Sequence, residues 1–416
     1  MAVYRKYLVV AFMLCATLLP VTIACEAVRE EEEARRRAGR ESVPGNRSVS
    51  AEPKSCIEFG KRNGETGSAI TAEAATVKAH YGELAGVRMV DSAGKLIVGT
   101  LSADRRAWKP DSDLKLGTNY TVTADTQDTA RGARCTMSRT FTTVTPERST
   151  VATYTPEGGT TVGVGMPVSI VFDKPVLDRD AVLSHITVRS NYGQEAVGHW
   201  FGERRLVLRP REYWKPHSQI TLVLDLADVV TAPAIKGIQK KTVRFATGGA
   251  RISYVNVRDH RMDITRDGKF IKSLSVTAGA LGSPTYNGVF VISAKYPVVR
   301  MNGATVGFPQ GGESGYDISD VPHAMRLTDS GTFIHGNYWS PVGSFGSVNT
   351  THGCIGLQDS QGGNDPHMPA SWFYHYSQPG DIIAVTGSNA KTVVPDNGLS
   401  VWNMDWPTWT APSREL

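Results

Sequence analysis

"RRAWKPDSDLKLGTNYTVTAD" (105–125) and "RRLVLRPREYWKPHSQITLVLD" (204–225) are two versions of one pattern. Each opens on paired arginines, passes through a turn-rich middle and ends in a run where apolar and polar residues alternate. The offset between them is about 100 residues. A closing alternating run follows each one, "SRTFTTV" (138–144) and "TVRFATG" (242–248). Alternation at period two is what a strand needs when one face is buried and the other is wet. The repeat therefore predicts two successive units of short antiparallel strands.

A repeat of this length, built of short strands and Gly/Pro/Asp turns, points to tandem immunoglobulin-like β-sandwiches. Their expected spans are 54–147 and 148–250, with "YTPEGGTTVGVGMPVSIVFDKPV" (154–176) supplying the opening strands of the second. Neither unit carries a cluster of chemically active side chains, which fits a spacer. Composition agrees with a mainly all-β chain. The 416 residues include 41 glycines and 22 prolines, which favour turns over long helices, and the length leaves room for a third domain.

That third unit is expected at 251–387. "RISYVNV" (251–257) alternates. "RMDITRDGKFIKSLSVTAG" (261–279) sets Asp267-Gly268 between two alternating runs, a strong hairpin signal. "YNGVFVISAK" (286–295) and "GDIIAVTG" (380–387) read as further strands. Between them "RMNGATVGFPQGGESGYDISD" (300–320) is glycine-rich and long enough for a flap over a site.

At the N-terminus, Arg5 and Lys6 precede an uncharged run that lasts until Glu26, the layout of an export signal over 1–25. The run is also near the lower limit for a membrane span, so an uncleaved anchor is the alternative. "VTIAC", ending at Cys25, resembles the lipobox of bacterial lipoproteins, which predicts either lipidation of Cys25 or plain cleavage nearby. Both place the remainder outside the cytoplasm. Residues 26–53 read as a solvated tether, with Glu31/Arg35, Glu32/Arg36 and Glu33/Arg37 at helical i,i+4 spacing.

The exported part keeps Cys56, Cys135 and Cys354, an odd number. Outside the cytoplasm two can pair and one stays free or pairs between molecules. Cys56 and Cys135 bracket the first sandwich and are the natural pair, if one forms, leaving Cys354 as the spare thiol.

Cys354 stands in "NTTHGC" (349–354), nineteen residues after His335 of "TFIHGNYW" (332–339). A thiol attacks as thiolate and gains from an imidazole that can take its proton, so His335 is the candidate base. His352 is two residues from Cys354 and points the other way in a strand. Gly353 allows close backbone approach, so the N–H groups of His352, Gly353 and Cys354 are candidate oxyanion donors.

A histidine followed by Thr351-His352-Gly353-Cys354 resembles the signature of the L,D-transpeptidases, cysteine enzymes that cross-link peptidoglycan. The resemblance implies a β-rich catalytic domain, a Cys354 nucleophile, and a His335 base oriented by the Gly336 carbonyl. It implies donor-site roles for Tyr316, Met301, Trp339 and Thr351. It extends to the two sandwiches and to a Trp-rich C-terminal segment, "VWNMDWPTW" (401–409), expected within 388–416 to pack on the catalytic domain. Where the family usually carries asparagine two residues after the cysteine, this chain has Gly356, which puts substrate contact there in question.

The implied partners are peptidoglycan stem peptides, carbapenem-type β-lactams as inhibitors, and a membrane through the N-terminal anchor. The implied reaction is a 3→3 cross-link made through a Cys354 thioester with loss of D-Ala. Hydrolysis of the same thioester (an L,D-carboxypeptidase) and non-catalytic wall binding by a lipoprotein are the alternatives. No cofactor or metal is expected, since HExxH and zinc-spaced cysteine pairs are absent from the sequence. A formal charge of +5, scattered without aromatic interleaving, argues against nucleic acid.

Overall fold

A computed structural model describes residues 55–128, 132–307 and 315–411. The expected export signal, Cys25 and the tether lie outside the described residues, as do 308–314 of the expected flap.

The repeat appears as two sandwiches whose buried positions match at an offset of 100. Trp108, Leu114, Tyr120, Val122 and Ala124 are buried in the first. Leu208, Trp214, Ile220, Leu222 and Leu224 are buried in the second. In the first, a sheet of four strands (Ile57–Phe59, Val77–Ala79, Ala107–Pro110, Gly99–Leu101) faces one of five, whose centre is Asn119–Asp128 paired antiparallel with Ala133–Thr143. Tyr120 and Phe141 stack across that pair at 5.6 Å. Cys56 adjoins the first sheet and Cys135 lies in the second, and the two form a disulfide across a sequence separation of 79. Closing a loop of that length restricts the unfolded chain by about 4 kcal/mol in the chain-entropy account.

The second sandwich sets Ala152–Thr155, Val168–Phe172, Arg205–Arg209 and Val197–Phe201 against a sheet containing Gln219–Asp225 and Lys240–Thr247. Its seam with the third unit is made by backbone. Gly163 N–H donates to the Pro379 carbonyl (2.8 Å) and Gly165 N–H to the Gly380 carbonyl (3.0 Å). A Cβ on Gly163 would lie 2.1 Å from the Gly380 carbonyl carbon, so only glycine permits this approach.

The third unit is built on a nine-stranded sheet. Its order is Gly288–Val291, Ile382–Thr386, Arg251–Asn256, Arg261–Arg266, Lys269–Thr277, Ile355–Gln358, Phe333–Asn337, Asp317–Arg326 and Ala294–Asn302. Asp267 and Gly268 both have positive φ (51° and 76°), the backbone of a two-residue hairpin turn. Helix Pro369–Tyr376 lays Ala370 and Phe373 into the same apolar core as Ile334, Ile355 and Leu357.

The Trp-rich segment corrects one expectation, because its indoles pack on the second sandwich rather than on the catalytic domain. Trp402 Nε1–H donates to the Gly165 carbonyl and Trp409 Nε1–H to the Val197 carbonyl. Trp402, Trp406 and Trp409 surround the buried Arg209 guanidinium at 4.8, 5.4 and 4.4 Å from the ring centroids. The cause is Arg205–Arg209 itself. Leu206 and Leu208 face the sandwich core while Val207 and Arg209 face away, and that second face needs the tail as its cover. The rest of 388–416 does pack on the third unit: Val393 lies in its core with Ile355 and Leu357, Lys391 and Val393 pair with the Asn287 backbone, and Asn403 exchanges two hydrogen bonds with the Val289 backbone.

Candidate active site

The site grows from one parallel strand pair. Phe333–Asn337 runs beside Ile355–Gln358, with Ile334 opposite Ile355, His335 opposite Gly356 and Asn337 opposite Gln358. Ile334, Ile355 and Leu357 point into the core. By the period of two, His335 and Asn337 point to the other face, and the loop that precedes Ile355 delivers Cys354 there. His335, Cys354, His352, Thr351, Trp339, Tyr316 and Met301 line one cavity of about 200 Å³. Seven of the candidate residues are thus brought together.

Each is held by identifiable contacts. His335 Nδ1–H donates to the Gly336 carbonyl at 2.9 Å, which leaves Nε2 as the basic atom. The Trp339 ring lies nearly parallel to the imidazole, 13° off at 5.5 Å, while the indole remains 42% exposed at the cavity mouth. Tyr316 packs on the His352 ring at 4.8 Å. Burial, and secondarily the charge of a Cys354 thiolate, push the Tyr316 phenol up to about 12, so it stays a proton donor throughout the physiological range.

Cys354 is a free, buried thiol. Sγ accepts from the Phe333 N–H (3.4 Å) and donates to the Gly331 carbonyl (3.6 Å). Among the described residues no hydrogen bond joins it to the imidazole. Burial pushes the thiol up to about 11, against a smaller opposing effect of the Phe333 N–H. Burial also lowers His335, against the Gly336 carbonyl. Thiol and imidazole are therefore both neutral at rest.

The loop around the thiol is set by Thr351 and Gly353. Gly353 has φ +115°, which only glycine adopts readily. The Thr351 hydroxyl donates to the Cys354 carbonyl (2.6 Å) and accepts from the Gly353 N–H (3.2 Å). Thr351 thus lines the cavity but commits its hydroxyl to the loop, and one of the three expected oxyanion donors is already engaged.

Gly336 and Gly356 serve by what they leave out. A Cβ on Gly336 would lie 2.1 Å from Asp359 Oδ2. That carboxylate is buried behind the strand and accepts from His323 Nδ1 at 2.8 Å. Gly356 does not line the cavity. A Cβ there would meet Thr277 Cγ2 at 2.9 Å and Asn337 Nδ2 at 3.0 Å, so the asparagine amide lies over it. Substrate contact at Gly356 is thereby corrected: the neighbouring strand presents the side chain that position lacks.

Asn337, Thr350 and Ile318 also line the cavity and were not anticipated. The signal for Asn337 was available, two residues beyond His335 on one strand face. The His323–Asp359 pair joins residues 36 apart and left no local trace. A second cavity of about 240 Å³ shares Met301 and Tyr316 with the first and includes Arg300, Arg326 and Phe333. Among the described residues no group of three or more His, Cys, Asp or Glu side chains is placed to hold a metal ion.

Residues 250–385 match the family described as L,D-transpeptidase catalytic domain, and residues 67–230 that described as bacterial Ig domain. L,D-transpeptidase 2 of Mycobacterium tuberculosis (strain CDC 1551 / Oshkosh) is 31% identical over 343 residues, spanning 82% of this chain and 81% of that protein. L,D-transpeptidase 5 of Mycobacterium tuberculosis (strain ATCC 25618 / H37Rv) is 28% identical over 334 residues, 79% of this chain and 70% of that protein. Among solved structures, an L,D-transpeptidase in complex with imipenem is 29% identical and covers 58% of this chain and 100% of its own, with a TM-score of 0.48.

Proposed function

Since the chain belongs to the L,D-transpeptidase family, we propose that it joins peptidoglycan stems by 3→3 cross-links through a thioester on Cys354. The observation that carries this is a free thiol sharing a cavity with an imidazole whose Nδ1–H is pinned on the Gly336 carbonyl. In the proposed cycle a tetrapeptide stem enters the cavity and Sγ leaves the Gly331 carbonyl to attack the carbonyl of its third residue. Its proton passes to His335 Nε2 as the C–S bond forms. The tetrahedral oxyanion meets the Cys354 N–H. His335 returns the proton to the leaving nitrogen, D-Ala departs, and the thioester remains.

An acceptor amine then attacks the thioester, gives its proton to His335, and restores the thiol as the new amide forms. Thioesters suit this step because amines displace them readily and no energy carrier is needed outside the cell. Burial of the site favours the amine over water. A carbapenem acylates the same sulfur by ring opening in this reading, as the imipenem complex of the relative encourages.

The reaction is tested by incubating the purified chain with a soluble tetrapeptide stem. Mass spectrometry is expected to show stem dimers joined between their third residues and free D-Ala. Trimmed monomers without dimers would assign an L,D-carboxypeptidase, and no product of either kind would defeat the reading. We place the protein outside the cytoplasm on a membrane anchor at Cys25, on the strength of the apolar run and "VTIAC". Intact mass of protein taken from its own membranes should begin at Cys25 with added acyl chains. A mass that retains residues 1–24, or begins after Cys25, would refute the lipid anchor.

A further inference from the structure

Asn337 is 2% exposed, yet it borders the cavity that holds Cys354 and His335. Its Oδ1 accepts from the Ser340 N–H at 3.0 Å, which fixes the amide's orientation and turns Nδ2 the other way. Among the described residues Nδ2 has no acceptor. Nδ2 is not one of the fully enclosed polar atoms left without a partner among the described residues, so it opens to the cavity, where water or a ligand oxygen can accept from it. The space that Nδ2 occupies exists because position 356 is glycine, since any Cβ there would come within 3.0 Å of it. A rigid, oriented and unpartnered donor beside the candidate nucleophile is what ligand recognition requires.

We propose that Asn337 is a substrate-binding residue, whose Nδ2–H donates to a backbone carbonyl or carboxylate oxygen of the acyl-donor peptide. This rests on the L,D-transpeptidase reading and names a contact that fixes the donor. Asn337 follows His335 by two residues on one strand face, a step of roughly 7 Å. Same-facing carbonyls of an extended peptide repeat at the same interval. With the attacked carbonyl beside His335, the oxygen that Asn337 holds belongs to the donor about two residues away. A neutral amide donor selects an acceptor oxygen without requiring charge, which fits peptide carbonyls.

The test uses the full chain with Asn337→Ala and Asn337→Asp, and reads kcat and KM for the tetrapeptide together with the rate of Cys354 alkylation by iodoacetamide. Iodoacetamide has no peptide to be held. KM is expected to rise tenfold or more in both variants, further for Asp because its carboxylate faces the acceptor oxygen. Expected changes in kcat stay within threefold and in alkylation within twofold. Unchanged KM in the folded variants overturns the proposal, and so does alkylation that falls in parallel with turnover, which marks Asn337 as packing alone. Asparagine-selective 15N labelling of the unaltered chain needs no variant: the Asn337 side-chain amide pair is expected to shift on titration with stem peptide, and a pair unmoved at saturation overturns the assignment. Absence of tetrapeptide turnover by the unaltered chain would count against the proposed reaction instead. The role of Asn337 is then read from imipenem acylation of Cys354, where an unchanged rate constant in Asn337→Ala overturns it.

Discussion

Cys354→Ala is expected to remove both the imipenem adduct and tetrapeptide transfer, the latter by about 10⁴-fold or more, the scale set by deleting the covalent nucleophile from an enzyme whose other contacts survive. The fold should be untouched, because a thiol whose hydrogen bonds among the described residues go only to the Phe333 N–H and the Gly331 carbonyl contributes little to the core. The adduct is checked by intact mass and the transfer by product analysis. A Cys354→Ala chain that still forms stem dimers would place the nucleophile elsewhere. His335→Gln removes the base while nearly preserving shape, and is expected to slow transfer by about 10² to 10⁴.

The pH dependence of the free thiol is the sharper part of this expectation. With the thiol raised from an ordinary 9.0 to about 11, alkylation by iodoacetamide should climb about tenfold per pH unit from 7 toward 10 and level off near 11. A preformed thiolate–imidazolium pair would give a rate that is already flat at neutral pH, and that result would overturn the neutral resting state. Stability follows the same groups. The raised Cys354 value contributes stability that is complete below 9.0 and lost as pH rises toward 11. The lowered His335 value contributes stability present above 6.5 and lost as pH falls toward its folded value. Both contributions are therefore full between about 6.5 and 9.0, and urea midpoints across pH report them.

In the proposed cycle, attack near neutrality then draws on no standing thiolate. It needs the proton to move during attack, after Sγ leaves the Gly331 carbonyl for the imidazole. In that reading donor binding would supply the occasion, by filling the cavity and excluding water that would otherwise solvate the charges.

What could be read in the sequence divides along physical lines. Features that act over a few residues were legible: the 100-residue repeat, the Asp267-Gly268 turn, and His335 with Cys354, whose chemistry needs those residue types. Features made by distant segments were not. The His323–Asp359 pair depends on a strand and a loop that meet only in the folded sheet. The role of Gly356 as space for Asn337 depends on the parallel register, which no local pattern encodes. The destination of the tail was partly legible. "RLVLR" (205–209) has three consecutive apolar residues where a half-exposed strand would alternate, a mark of burial on both faces. What hid it was Arg209, whose charge reads as solvent-exposed until three indoles are brought around it.

Trp409→Ala measures how much that arrangement contributes, and its expected cost is about 3 to 5 kcal/mol. Trp409 is fully buried, donates Nε1–H to the Val197 carbonyl, and packs against His199 at 5.0 Å. It also supplies the nearest of the three rings around Arg209. Arg209 is 2% exposed, with Nη2 on the Met404 carbonyl, Nη1 on the Pro210 carbonyl, and Nε without a partner among the described residues. Burial already lowers this guanidinium to about 10, so removing a ring leaves a desolvated cation beside a new cavity. Arg209→Met separates the two contributions. It keeps an apolar filler for the indoles and removes the partnerless Nε, so its expected cost is under about 1.5 kcal/mol. Thermal melting of both variants, with proteolysis of the 388–411 segment as a second readout, decides between packing and cation–π attraction. If Arg209→Met costs as much as Trp409→Ala, the cation is what fastens the tail to the second sandwich; if neither lowers the melting temperature, the tail does not brace the fold at all.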